Sequence, residues 1–168
     1  MNETEQQYTA RIIGNLGSQE PISVLRSTPA RITRHIRGKS VARLRRAPAP
    51  GKWSVAQIVA HLAETELVLA WRYRIIAEKN GVLIEAFEQD VWAKNSRYAT
   101  SDVRAMLTLF ATVRRANLEF LKGLSPKQWK QYGMHRERGK ETIAHLVRME
   151  AGHDLNHLRQ IEAILKGQ

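Results

Sequence analysis

Residues 152–161 read Gly152-His153-Asp154-Leu155-Asn156-His157-Leu158-Arg159-Gln160-Ile161, and the histidine pair within them decides how the rest of the chain is read. His153 and His157 stand in a run where Ile143, Leu146, His153, His157, Ile161 and Ile164 recur at helical spacing, so both imidazoles fall on one face of one helix. At about 100° per residue, His157 lies at the centre of the apolar stripe and His153 within roughly 40° of it. An inward imidazole without a partner is costly, and a single metal ion can satisfy two of them at once.

Two histidines make an incomplete site, because a divalent transition metal takes at least three protein ligands. His61 is the best further supplier. It borders the apolar stripe of a second helical segment, Ser54 to Glu78, formed by Ile58, Leu62, Thr65, Leu69, Arg72 and Ile76. One isolated inward histidine is usually a core residue bonded to a carbonyl or carboxylate. Three of them on inward faces of two long helices point instead to a ligand set, and three histidines without a fourth protein ligand leave positions open for water or substrate.

The stretch around His61 is Gly51-Lys52-Trp53-Ser54-Val55-Ala56-Gln57-Ile58-Val59-Ala60-His61-Leu62-Ala63-Glu64-Thr65-Glu66. With the distant His153-x-x-x-His157-x-x-Gln160-Ile161 and the Asp90-Val91-Trp92 stretch between, it resembles the DinB-like superfamily over about residues 21–165. That resemblance implies a metal-binding four-helix bundle whose members pair through helix faces as homodimers. It also implies a divalent transition ion, nickel, zinc, manganese or iron, on His61, His153 and His157. Members with this triad include enzymes that conjugate low-molecular-weight thiols such as bacillithiol or mycothiol to electrophiles, and a mycothiol-dependent isomerase. The implied chemistry is a metal-held thiolate, its pKa lowered so that it attacks at neutral pH.

Composition narrows the alternatives. With no cysteine, any metal must use histidine and carboxylate, and no disulfide braces the fold. The 168 residues, 43% hydrophobic, suffice for one domain, 1–168, with its own core. The polar start and the lack of any run near the ~18 apolar residues of a membrane span make a cytoplasmic protein the expectation, with no membrane partner. The net charge of +11 is concentrated in 26–46, where Arg26, Arg31, Arg34, Arg37, Lys39, Arg43, Arg45 and Arg46 have no Asp or Glu among them. No aromatic residues interleave with these cations and no nucleic-acid motif appears, so a solvated basic face is favoured over nucleic-acid binding. The same field would attract an anionic small-molecule substrate.

The order of elements follows from caps and breakers. Glu3 to Leu16 is a short amphipathic helix ended by Gly17, and Pro21 starts the first bundle helix, which Pro29 restarts or kinks before Gly38. Pro48-Ala49-Pro50-Gly51 forbids helix, and Ser54 with Gln57 then forms a capping box, flanked by a Trp53–Ile58 staple that fixes the angle of entry and so helps aim His61. That helix stops at Asn80-Gly81, and its Trp71 and Tyr73 read as packing residues. An irregular connection, 81–100, carries Phe87, Trp92 and Tyr98 and is expected to roof the site together with the loop near His135. The third helix, 103–122, offers no ligand. Ser125-Pro126-Lys127-Gln128 opens a turn that buries Trp129, in a connection that reads as short, and Thr142 opens the fourth helix. No strand-like alternation appears. The fold class is therefore all-α, a four-helix bundle with an additional short N-terminal helix and a long connection between the second and third bundle helices.

Other titratable residues have lesser claims on the site. Glu64 lies one turn after His61, and Glu150 one turn before His153, so either could orient an imidazole, complete the coordination or act as a base. An ordinary salt bridge is the favoured role for Glu64 and an even alternative for Glu150. Asp154 and Gln160 brace helix contacts, His145 is peripheral, and His35 and His135 are expected at the surface. Two functions of other classes stay beside thiol transfer: a metal-dependent hydrolase using the same three histidines, and a non-enzymatic basic bundle binding nucleic acid or protein.

Overall fold

The computed structural model describes residues 3–167, so Met1, Asn2 and Gln168 of the expected 1–168 domain lie outside the described residues. Helix α1 (Glu5–Gly14) is followed by α2 (Pro21–Ile36), α3 (Val41–Arg45) and α4 (Val55–Glu78). Strand β1 (Val82–Ile84), α5 (Gln89–Asn95) and a 3-10 turn (Tyr98–Thr100) lead to α6 (Val103–Lys122). Then come α7 (Pro126–Trp129), β2 (Tyr132–His135), β3 (Gly139–Thr142) and α8 (Ile143–Lys166).

Helices α2, α4, α6 and α8 form the bundle. α4 and α2 each pack against both α6 and α8, which puts α2 diagonal to α4 and α6 diagonal to α8. Two of the three links between bundle helices must therefore cross an end of the bundle. The first is 37–54. The second is 123–142, which the sequence suggested was short; it holds α7 and a β-hairpin, because a diagonal crossing needs the reach. β1 pairs parallel with β2, and β2 antiparallel with β3, so the connection after α4 and the connection before α8 join in one small sheet. The sequence showed no strand alternation because strands of 3 or 4 residues are shorter than the window in which period 2 can be read.

Local signals set the helix starts. Ser54 accepts from the Gln57 N–H while the Gln57 side chain accepts from the Ser54 N–H, and the same reciprocal box opens α1 at Thr4–Gln7 and α7 at Ser125–Gln128. Glu20 caps α2 ahead of Pro21. α2 runs through Pro29 as one helix. A proline there cannot donate to the carbonyl four residues back, which is Leu25's, and that freed carbonyl accepts from Arg114 Nη1 of α6 at 3.0 Å.

Arg114 is the polar centre of the core, 2% exposed. Its guanidinium also donates to Glu66 of α4 at 2.8 Å, to Asp154 of α8 at 2.6 Å and to Glu150 of α8 at 3.1 Å, so one side chain ties all four bundle helices. Asn117, next on the same face of α6, donates to Glu66 Oε1 at 2.7 Å. Around this knot the core is apolar, with Ile32, Val55, Val59, Leu62, Phe110, Ile143 and Ile161 fully buried.

The basic run is partly structural. Arg43 donates to the Ile164 carbonyl at 2.7 Å, capping the last turn of α8, and Arg45 donates to the Thr100 carbonyl at 2.7 Å. Arg37, Lys39 and Arg45 face Arg104 and Arg115 across a groove of about 880 Å³. Two packing expectations are corrected: Trp71 is 66% exposed, since it points away from the bundle where Tyr73 points in, and Trp129 is only half-buried on its short turn.

α1 lies against α8 because Gly152 lets it. A Cβ built on Gly152 would meet the Ile12 carbonyl oxygen at 2.0 Å. In an ordinary helix, Gly→Ala stabilises by about 0.8–1.0 kcal/mol. Here the clash with rigid backbone dominates, so Gly152→Ala is expected to destabilise by about 1–3 kcal/mol, the range for overpacking, and to lift α1 from the site. A fall in urea midpoint, with faster proteolysis within 5–14, checks it; a raised midpoint would refute it.

Candidate metal centre

His61 stands on α4, and His153 and His157 on the adjacent α8, at a level where the two helices face each other. The three Nε2 atoms converge: His61 to His153 is 3.1 Å and His153 to His157 is 3.0 Å. All three rings are buried, at 3%, 8% and 7% exposure. Trp53, the staple residue ahead of α4, has its ring 5.0 Å from that of His61 and fixes its plane. Gln160, one turn beyond His157, sits with its Oε1 2.8 Å from His157 Nδ1. An amide oxygen only accepts, so Nδ1 carries the proton and His157 Nε2 is left with a bare lone pair.

That assignment leaves too few protons in the middle of the triad. His153 Nε2 can donate to one neighbour at most, so at least one close nitrogen pair has no hydrogen between its atoms. Protonation does not relieve it, because burial first, then the neighbouring histidines, hold His61 well below the usual range and His157 down to about 3. Burial likewise brings His153 to about 4. Neutral, convergent, buried imidazole nitrogens are the donor set of a borderline-soft divalent ion. Their spacing also fits, since neighbouring ligand atoms at bonds of about 2.0–2.1 Å lie roughly 3–3.3 Å apart. His61 Nδ1 and His153 Nδ1 have no hydrogen-bond partner, so Gln160 is the one outer hydrogen-bond brace on the three rings among the described residues.

The two glutamates differ in placement. Glu150 is 5% exposed, with Oε1 on Arg114 and Oε2 3.7 Å from His153 Nδ1, so it links the Arg114 knot to the triad from behind. Burial, then Asp154, raises its carboxyl to about 8, and burial raises Glu66 to about 7. Glu64 accepts from the Tyr98 hydroxyl at 2.7 Å instead of forming the expected salt bridge. It lines a groove with Leu67, Trp71 and Trp92, not the cavities that reach the histidines. Among the described residues neither group of side chains able to hold an ion draws on α6, but the sequence reading missed Arg114 and its partner Glu66. Their sequence signal was an arginine beside the α6 stripe and acids within the stripes of α4 and α8.

Two cavities reach the triad, one of about 400 Å³ touching His61 and His153, the other of about 490 Å³ touching His153 and His157. Tyr8 of α1 and Gln89 of α5 line both and lie between them. The expected roof is present in part: Phe87, Gln89 and Asp90 contribute, whereas Trp92 stacks behind Phe87 at 4.9 Å and Tyr98 backs Trp53 at 6.0 Å. α1 is the part of the roof that the sequence did not disclose. His135, expected exposed, is 2% exposed on β2 and lines the first cavity, because inward and outward positions alternate along that strand. His145 is half-buried at the start of α8 and His35 half-buried on α2, both away from the triad cavities.

A deep histidine triad on facing helices of a four-helix bundle with diagonal crossovers defines a class of small bundles built around a metal-competent centre. The chain belongs to the DinB superfamily, whose sequence model matches residues 25–161. Over 142 residues it is 22% identical to a Bacillus subtilis protein named YfiT and described by that name as a candidate metal-dependent hydrolase, covering 83% of this chain and 79% of that one. An Oceanobacillus iheyensis protein with the same description is 24% identical over 116 residues, 69% of this chain and 67% of its own. The solved structure of YfiT, reported as a probable metal-dependent hydrolase with an unusual four-helix bundle topology, superposes with a TM-score of 0.82 at 19% identity, covering 98% of this chain and 89% of that one. Among the described residues no helix is long and apolar enough to cross a membrane.

Proposed function

We propose that the protein is a metal-dependent enzyme that transfers a low-molecular-weight thiol to an electrophilic substrate at His61, His153 and His157. The observation that carries this reading is the convergence of three neutral imidazoles on an accessible cavity, with the two glutamates one helical turn from them engaged elsewhere. Glu64 is held by Tyr98, and Glu150 is committed to Arg114. Such a site suits a nucleophile that needs little help to ionise. A bound nickel, zinc, manganese or iron ion supplies a Lewis acid that lowers the pKa of a thiol beside it.

The chain's own residues do the rest. His61, His153 and His157 would hold the ion, while Gln160 and Trp53 fix two of the rings. Tyr8 and Phe87 screen the cavity from bulk water, and the +11 charge gathers anionic reactants. The homodimer expected from the sequence is proposed to use the exposed Leu67, Trp71 and Leu83. Hydrolysis is the second reading, supported by the names of the relatives and by Glu150, which keeps a proton up to about pH 8 behind His153.

The test is a paired panel run on protein reconstituted with each metal: bacillithiol, mycothiol and glutathione against a chromogenic aryl halide, and aryl esters and amides without thiol. Metal-dependent acceleration with a thiol is the expected result. Acceleration of the ester or amide panel alone would replace transfer with hydrolysis.

A further inference from the structure

Arg72 is a buried cation without a direct ion-pair partner among the described residues. It lies on α4 at 6% exposure, lining the same cavity of about 400 Å³ that His61 and His153 line. Its Nη2 donates to the Glu85 carbonyl and stands 3.5 Å from His135 Nε2, while Phe87 lies across it at 6.0 Å. Among the described residues no carboxylate comes within 4.0 Å of it, and Glu141 and Glu150 act on it only from farther off. The acid of the neighbouring hairpin, Glu141, is engaged by Arg138 through two contacts of 2.7 and 3.2 Å. A guanidinium buried without a close anion is costly, and a ligand carboxylate is one group that offsets the cost.

His135 makes the arrangement specific. Its Nδ1 accepts from the backbone N–H groups of Glu137 at 3.2 Å and Arg138 at 3.3 Å. Burial, then Arg138, lowers its pKa, so the ring is neutral at pH 7 and its one proton is on Nε2. Arg72 Nη2–H and His135 Nε2–H are thus two donors 3.5 Å apart that cannot bond to each other. An acceptor oxygen between them satisfies both; Arg138 lines the same cavity, as do Glu5, Glu88, Glu137 and Glu150, so the attraction for an anion is local to this donor pair.

We propose that Arg72 and His135 form an oxyanion subsite that holds a carboxylate of a small reactant whose reactive end reaches His61 and His153. The assignment of the occupant as a reactant rests on the thiol-transfer reading; the anion site itself does not. The cavity has the volume of a small-molecule pocket, so the reactant is a compact carboxylate. Its polar end is fixed by two charge-assisted or imidazole donors, and Tyr8 and Phe87 cover its apolar body.

The test uses the full chain stripped of metal with a chelator, so that no ion contributes to binding. Sodium acetate is titrated at constant ionic strength against a chloride control, and the arginine Nε–H and histidine Nε2–H signals are followed by NMR. Expected are millimolar binding and shifts at Arg72 and His135. Arg72→Gln is expected to weaken it by about tenfold or more, as loss of a charge-assisted hydrogen bond does, with Arg72→Lys retaining part. His135→Phe should show the same loss and decides the matter if Arg72→Gln does not fold. Chloride binding as well as acetate, unmoved signals at these two residues, or undiminished affinity in His135→Phe would each overturn the subsite.

Cysteine and 4-chloro-3-nitrobenzoate as further probes distinguish a thiol from an electrophile as the carboxylate's source. Tighter binding of either than of acetate supports the assignment, and binding of neither overturns it. A protein that binds acetate at Arg72 yet shows no thiol transfer fails only the proposed function.

Discussion

Arg114→Met is expected to destabilise the fold by about 3–5 kcal/mol, the largest effect of any single substitution outside the triad. Removing one partner of a buried ion pair leaves the others charged and desolvated. Here the stranded groups are Glu66, Glu150 and Asp154, at 1%, 5% and 0% exposure, together with the Leu25 carbonyl that Pro29 leaves without a helical donor. The pH dependence follows from the two raised carboxyls. Their ordinary value is 4.5 and their folded values are about 7 for Glu66 and about 8 for Glu150. The folded state therefore holds protons that the unfolded chain releases. Their stabilising contribution is complete below pH 4.5 and is lost as pH rises through 7 to 8. Without Arg114 the carboxylates lose the cation that tolerates their ionisation, so the deficit of the variant should be smaller at pH 5 than at pH 8. Urea unfolding of both proteins across that range measures it. A deficit under about 1 kcal/mol, the scale of a surface ion pair, would show that Arg114 does not hold the bundle together.

His153→Ala is expected to abolish metal retention and turnover while leaving the metal-free fold nearly as stable as before. His153 Nε2 is the nitrogen that both other histidines approach, so its loss removes the shared vertex of the set. In the metal-free protein the imidazole contributes little, because its Nδ1 is buried without a partner and its Nε2 faces nitrogens. The cavity left behind offsets part of what is gained by removing those unsatisfied atoms. Two measurements check this. Elemental analysis after reconstitution and dialysis should find one ion per chain in the wild type and none in the variant. Thermal unfolding should show the wild type stabilised by added ion, by about 2.7 kcal/mol at a hundredfold excess over Kd, and the variant unmoved. Equal metal content in the two proteins would remove His153 from the ligand set.

The sequence alone determined whatever depends on short-range spacing. The interval between His153 and His157 places them on one helical face, the Ser54–Gln57 box with Trp53 starts the helix that carries His61, and Gly and Pro punctuation marks the four long helices. The DinB-like resemblance rested on short motifs, 51–66 and 153–161, taken together. Tertiary structure decided what depends on which helices are neighbours. Only the diagonal placement of α6 and α8 explains why 123–142 is long, and the pairing of its strands with β1 appears only in the folded chain. Arg114 looks like a border residue of an amphipathic stripe until α2, α4 and α8 surround it, since no local pattern tells a solvated arginine from one that three distant acids and a carbonyl neutralise. His135 was assigned to the surface because a strand of 4 residues carries too little periodicity to show its inward face. The α1 roof over the triad depends on Gly152, whose missing side chain matters only because the Ile12 carbonyl occupies its place. Spacing along a helix is fixed by the backbone's own geometry, whereas the partner across the core is fixed only when the whole chain has packed.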